Sequence, residues 1–122
     1  MEQWQIIYQA LADAGIEVYA PGGHEGICLS PYCVVQPTGG TIPAGSRRCG
    51  HASYRVFLVV PCEAPAEMDA LANSAHEALA ELVGSGTLQL AAPRSPMTPD
   101  DGFQALISYI DYDCYYSERN NA

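Results

Sequence analysis

Between residues 103 and 116 the chain reads FQALISYIDYDCYY, and its apolar positions recur with a period of two. One face carries Leu106, Ile110, Tyr112, Cys114 and Tyr116. The other carries Phe103, Ala105, Ile107 and Tyr109, then Asp111 and Asp113. This alternation predicts a long strand, apolar on both faces at its start and half-solvated at its end. Ser53–Pro61, SYRVFLVVP, predicts a second strong strand. Tyr54, Val56, Leu58 and Val60 face one way, Phe57 and Val59 the other, so the strand belongs in the middle of a sheet.

Two segments follow a helical period instead. Over residues 2–14, Trp4, Ile7, Tyr8, Leu11 and Ala14 make an apolar stripe, and Gly15 supplies a natural stop. From Pro65 to about Val83 the stripe is Met68, Leu71, Ala72, Ala75, Leu79 and Leu82. Pro65 suits a first helical turn, and Glu63, Glu67 and Asp69 favour the positive end of the helix. Gly84-Ser85-Gly86 ends it. Shorter strands are expected at Ile16–Ala20, Tyr32–Gln36 and Thr87–Ala92.

Three segments lack periodicity. Residues 21–31 and 93–102 are rich in Pro and Gly and read as loops. Residues 37–51, PTGGTIPAGSRRCGH, have little apolar content and read as a long loop or mobile arm. The expected architecture is a single α+β domain spanning residues 1–122. Two helices pack on an antiparallel or mixed sheet of four to five strands.

Charge narrows the function. Fourteen acidic residues against five basic ones give a net charge of −9. Nucleic-acid affinity comes largely from neutralised phosphates, so direct nucleic-acid binding is not expected. No apolar run reaches the roughly 20 residues that span a bilayer, and no membrane partner is expected. The opening MEQWQIIYQALADAG has no basic start, so it reads as neither signal nor transit peptide and implies cytoplasmic synthesis.

The candidate chemistry is sparse. His24, Cys28, Cys33, Cys49 and His51 cluster in sequence, and zinc takes four such ligands in a tetrahedron. Cys28-x4-Cys33 and Cys49-x-His51 contain no C-x2-C knuckle to set ligand geometry, so no metal and no cofactor is expected. A cysteine nucleophile beside His24, His51 or His76 needs spatial adjacency that sequence does not supply. Asp111 and Asp113 share a strand face without a third adjacent carboxylate and read as solvent-facing. Tyrosine is abundant, with Tyr112, Tyr115 and Tyr116 close together. Tyrosine joins apolar area to a polar tip, so these three, with the paired Arg47 and Arg48, are interface candidates.

The layout resembles the small tail-terminator and minor tail proteins of long-tailed bacteriophages. The resemblance rests on the opening helix followed by Ala14-Gly15-Ile16-Glu17-Val18-Tyr19 and Pro21-Gly22. It rests also on Cys28-Leu29-Ser30-Pro31-Tyr32-Cys33-Val34-Val35, Tyr54–Pro61, the alanine-rich helix 65–83 and Ile107–Tyr116. It implies a virion-assembly protein without catalysis or cofactor, located in the tail or neck of a particle made in the bacterial cytoplasm. The implied partners are further copies in a hexameric ring, the tail tube protein and head-connector proteins. Two other readings are a head–tail joining protein of similar size, and a small metal-binding or thiol-dependent enzyme using the Cys/His cluster at 24–51.

Overall fold

The computed structural model describes residues 3–24, 26–41 and 49–117. In chain order its elements are α1 (Gln3–Asp13), β1 (Val18–Tyr19), β2 (Tyr32–Thr41), β3 (Cys49–Pro61), α2 (Glu67–Gly84), β4 (Gln89–Leu90), β5 (Thr98–Asp100) and β6 (Ala105–Ser117). The chain forms an α+β domain with a mixed sheet ordered β1-β2-β3-β6-β4, with β5 also paired to β6. β1 runs parallel to β2, and the other pairings are antiparallel.

β3 is central because both its faces are apolar, as the alternation requires. Tyr54, Val56, Leu58 and Val60 enter the main core with Cys33 and Val35 of β2 and Ile110, Tyr112 and Cys114 of β6. The same cluster takes Ile7 and Leu11 from α1 and Met68, Leu71, Ala72, Ala75 and Leu79 from α2. Both helices therefore cover one face of the sheet. The other face holds a smaller cluster of Cys28, Tyr32, Val59 and Ala105, with Tyr19, Val34, Phe57, Phe103 and Ile107 packed against it. Among the described residues no helix packs on that face.

Turn chemistry fixes the helix ends. Gly15 adopts φ +83°, a conformation costly for residues with a Cβ, and Ile16 N–H returns to Leu11 O at 3.2 Å. After α2 the left-handed residue is Gly86, at φ +84°.

The structure corrects the expectation for residues 37–51 in part. Pro37–Thr41 belong to β2 and Cys49–His51 to β3, while 42–48 lie outside the described residues. Poor strand formers are accommodated here because, among the described residues, β2 is paired on one side only beyond Val34. Cys33 donates its N–H to Glu17 O at 2.9 Å, away from β3. Pro37 has the same phase, so its missing donor falls on the unpaired edge, where proline is tolerated. The ladder then shifts register between Pro37 and Gly39, which further interrupts that edge. Two smaller differences concern segment 87–102. The expected strand Thr87–Ala92 shortens to Gln89–Leu90, and Thr98–Asp100 in the expected loop pairs with β6.

Candidate assembly surface

The helix-free face divides into an apolar half and a polar half. In the apolar half, Phe57 and Tyr109 are directly registered across β3 and β6. Their rings stack at a centroid distance of 6.1 Å and an interplanar angle of 18°. Beside them is an open hollow of about 400 Å³, walled by Ser95, Pro96, Thr98, Pro99 and Asp100 and floored by Phe57, Ile107, Ser108 and Tyr109. Its outer wall is pinned to β6 by hydrogen bonds from Ser95 N–H to Tyr109 O (2.9 Å) and Ser108 Oγ to Ser95 O (2.6 Å).

A second hollow of about 190 Å³ shares Phe57 and Ile107 and extends toward Tyr32, Val34 and His24. His24 stacks on Tyr32 at 4.1 Å and 16° and meets Tyr19 edge-on at 5.1 Å. Its Nδ1 is buried and has no hydrogen-bond partner among the described residues. The preceding loop is held by Cys28 N–H donating to Phe103 O at 2.8 Å, and it leaves Leu29 86% exposed. Solvated apolar side chains therefore flank an already half-apolar face.

The polar half begins at Arg55, whose guanidinium lies 3.7 Å above the Tyr109 ring. Arg55 also meets the directly opposed Asp111 with two hydrogen bonds, Nε to Oδ1 at 2.8 Å and Nη2 to Oδ2 at 3.1 Å. That pairing holds the guanidinium's pKa above its ordinary value, despite the opposing effect of desolvation. One pleat further on, Ser53 Oγ donates to Asp113 Oδ1 at 2.8 Å, and His51 Nε2 lies 3.0 Å from the same oxygen. These hydrogen bonds, His51's first, pull the Asp113 carboxyl below its ordinary range.

Ser53, His51 and Asp113 have the residue types of a hydrolytic triad but not its geometry. A relay uses the two imidazole nitrogens separately, one toward the serine and one toward the carboxylate. Here Nε2 approaches both, at 3.2 Å from Ser53 Oγ, and the serine proton is directed to the carboxylate. The arrangement is a cross-strand polar ladder.

Other predicted site residues are dispersed. Cys28 is buried on the helix-free side, with Sγ 3.3 Å from Ser30 O. Cys33 is buried under the helices, on the opposite face of the sheet, and burial pushes its thiol up to about 12. These two candidate zinc ligands therefore do not converge. Cys49 lies in β3 opposite Ser117, and His51 is engaged with Asp113. Among the described residues no group of three or more His, Cys, Asp or Glu side chains is arranged to hold a metal ion. His76 is on the exposed flank of α2.

Tyr112 is corrected outright as an interface candidate. It is only 1% exposed, because its phase on β6 places it under the helices, opposite Tyr54. Tyr115 and Tyr116 occupy β6 positions opposite His51 and Gly50, and Arg47 and Arg48 lie outside the described residues. Arg55, Ser53 and the Phe57–Tyr109 stack were not singled out from sequence. The available signal was phase: Ser53, Arg55 and Phe57 alternate onto one face, as do Tyr109, Asp111 and Asp113. The β3–β6 register is what brings the two sets together.

No protein-family model matches the chain, and no curated protein matches it. Among solved structures, a chain without a stated function aligns at 16% identity, over 89% of this chain and 84% of its own, with a TM-score of 0.44. That likeness is too low to carry an argument about function.

Proposed function

We propose that this protein is a virion-assembly protein of a long-tailed bacteriophage, a tail terminator or minor tail protein that forms a ring at the end of the tail tube and performs no turnover. The observation that carries the reading is the one-sided cladding of the sheet. Both helices cover one face, and the other presents Phe57, Ile107 and Tyr109 beside open hollows. Part-exposed aromatic surface on a rigid sheet suits protein contact, and a closed ring uses different patches of neighbouring subunits.

The net charge of −9 fits a ring that lets DNA pass without adhesion. The separation of Cys28 and Cys33 by the sheet weighs against the thiol or metal enzyme. Removal tests the reading. A phage lacking this protein should build tails of irregular length that do not join heads, and supplying the protein should restore both. Normal tails joined to heads in its absence would overturn it.

A further inference from the structure

We infer that the smaller hollow of the helix-free face receives a lysine side chain from a different protein. The inference does not rest on the ring reading and adds to it a contact with an unlike partner. At about 190 Å³ the hollow is smaller than the roughly 300 Å³ at which drug-sized sites begin, and it suits one side chain. Its walls are aromatic. Phe57, Phe103 and His24 are half-exposed around it, and Tyr32 is buried beneath His24. The rings are not parallel: His24 lies at 16° to Tyr32 but is inclined 59° to Phe103 at 6.2 Å.

Carboxylates without a cation stand around these rings. Asp100 Oδ1 accepts the Phe103 N–H at 3.1 Å, a neutral donor that leaves its charge uncompensated, and Asp101 follows in an exposed turn. Glu17 accepts a hydrogen bond from the Tyr19 hydroxyl, and Tyr19 meets both His24 and Tyr32 edge-on. Burial first, and then neighbours that include Asp100 and Glu17, push the Tyr32 hydroxyl up to about 12, so the field of both carboxylates reaches the hollow. The two arginines among the described residues are occupied, Arg55 by Asp111 and Arg94 by Asp69. An aromatic hollow in a negative field attracts a cation through the ring quadrupoles and the carboxylate charges together.

Three features select a lysine of another protein. Rings inclined to one another enclose a compact ammonium better than a planar guanidinium, which stacks on one face. The hollow shares Phe57 and Ile107 with the larger one beside it, so a chain segment fills both where a free ion fills one. The chain itself contains no lysine, so a second copy does not supply the contact.

The test is an NMR titration of the full-length protein at low salt with the peptide acetyl-Lys-Gly-Leu-amide, whose leucine is free to enter the larger hollow. The lysine ε-methylene protons should move upfield in the ring currents, and the Phe57 and Phe103 ring signals should shift with them. The same peptide with norleucine in place of lysine should bind about tenfold more weakly. Glu17→Gln with Asp100→Asn removes the charges and keeps both hydrogen-bond acceptors. This pair should abolish the preference for lysine and leave norleucine binding unchanged. Phe103→Leu should weaken the lysine peptide about fivefold. Should Phe103→Leu lower the melting temperature, the isosteric pair alone decides.

Equal binding of the lysine and norleucine peptides, a preference that survives neutralisation, or an unmoved ε-methylene signal overturns the inference. Butylammonium bound as tightly as the peptide would assign the hollow to a free ion, and tighter binding of the arginine peptide would assign it to a guanidinium; either overturns it. None of these results touches the ring reading, which the phage lacking this protein decides.

Discussion

Arg55 and Asp111 face each other directly across β3 and β6, joined by two hydrogen bonds, while the same guanidinium covers the Tyr109 ring. One side chain thus links the acidic half of the helix-free face to its aromatic half. Both partners are about one-third exposed, so solvent screens the pair. A double-mutant cycle with Arg55→Ala and Asp111→Ala should give a coupling of about 0.5–1 kcal/mol, smaller at high salt. A coupling that does not change with salt would place its origin in packing.

Asp113 gives the fold an acid-sensitive contact. Its carboxyl titrates below the ordinary 3.8 in the folded state because His51 and Ser53 stabilise the anion. A depressed folded value means that the contribution is complete above about pH 4 and is lost as pH falls through the folded value. Asp113→Asn should therefore flatten the loss of stability on acidification below pH 4. Thermal midpoints measured from pH 7 to pH 2 read this, and parallel curves for both proteins would refute it.

Tyr112 should respond as a core residue whose hydroxyl contributes no bond. The ring is buried in the main core with Tyr54 and Cys114, and its hydroxyl has no hydrogen-bond partner among the described residues. An unsatisfied buried polar atom costs about 1–3 kcal/mol. Tyr112→Phe should leave stability unchanged or raise it by up to about 1 kcal/mol. Tyr112→Ser should cost about 3–5 kcal/mol, comparable to truncating a large core side chain. Urea denaturation distinguishes these outcomes, and a marked loss in the Phe variant would reveal a partner for the hydroxyl.

Cysteine accessibility should follow burial. Cys28, Cys33 and Cys114 are buried and Cys62 is exposed. With the Cys33 thiol pushed up to about 12, roughly one in 10,000 is thiolate at pH 8, and the site is also closed to reagent. In a Cys49→Ser background, iodoacetamide should modify Cys62 in the native protein and the other three only after unfolding. Intact-mass and peptide analysis reads this, and native labelling of Cys33 at the rate of Cys62 would contradict it.

The strongest strands were legible in the sequence because their phase is unambiguous. Tyr54, Val56, Leu58 and Val60 have no competing helical period, and β6 repeats the same alternation. The helix-free face was not legible as a site, because it depends on which residues of β3 and β6 are opposed. Arg55 acquires its significance only when Asp111 stands across from it. The far half of β2 was hidden by Pro37, Gly39 and Gly40, whose weak strand tendency yields to a neighbour that supplies the ladder. β5 had no signal of its own, because Thr98-Pro99-Asp100 is a strand by virtue of β6. Tyr112 stands beside Tyr115 and Tyr116 in the sequence, but its phase assigns it with Ile110 and Cys114.

The pairing of β3 with β6 also sets the order in which the molecule takes shape. Each strand is 13 residues long, and they are neighbours in the sheet although α2, β4 and β5 intervene in the chain. Local contacts let β2 and β3 meet early as a hairpin, but the opposite edge of β3 must wait for β6. Pairings between distant segments form slowly, because a long loop closes before any contact rewards it. Until then the newly synthesised chain displays Val56, Leu58 and Val60 along an unfilled strand edge. An unpaired strand edge of this kind is a template for aggregation until β6 covers it.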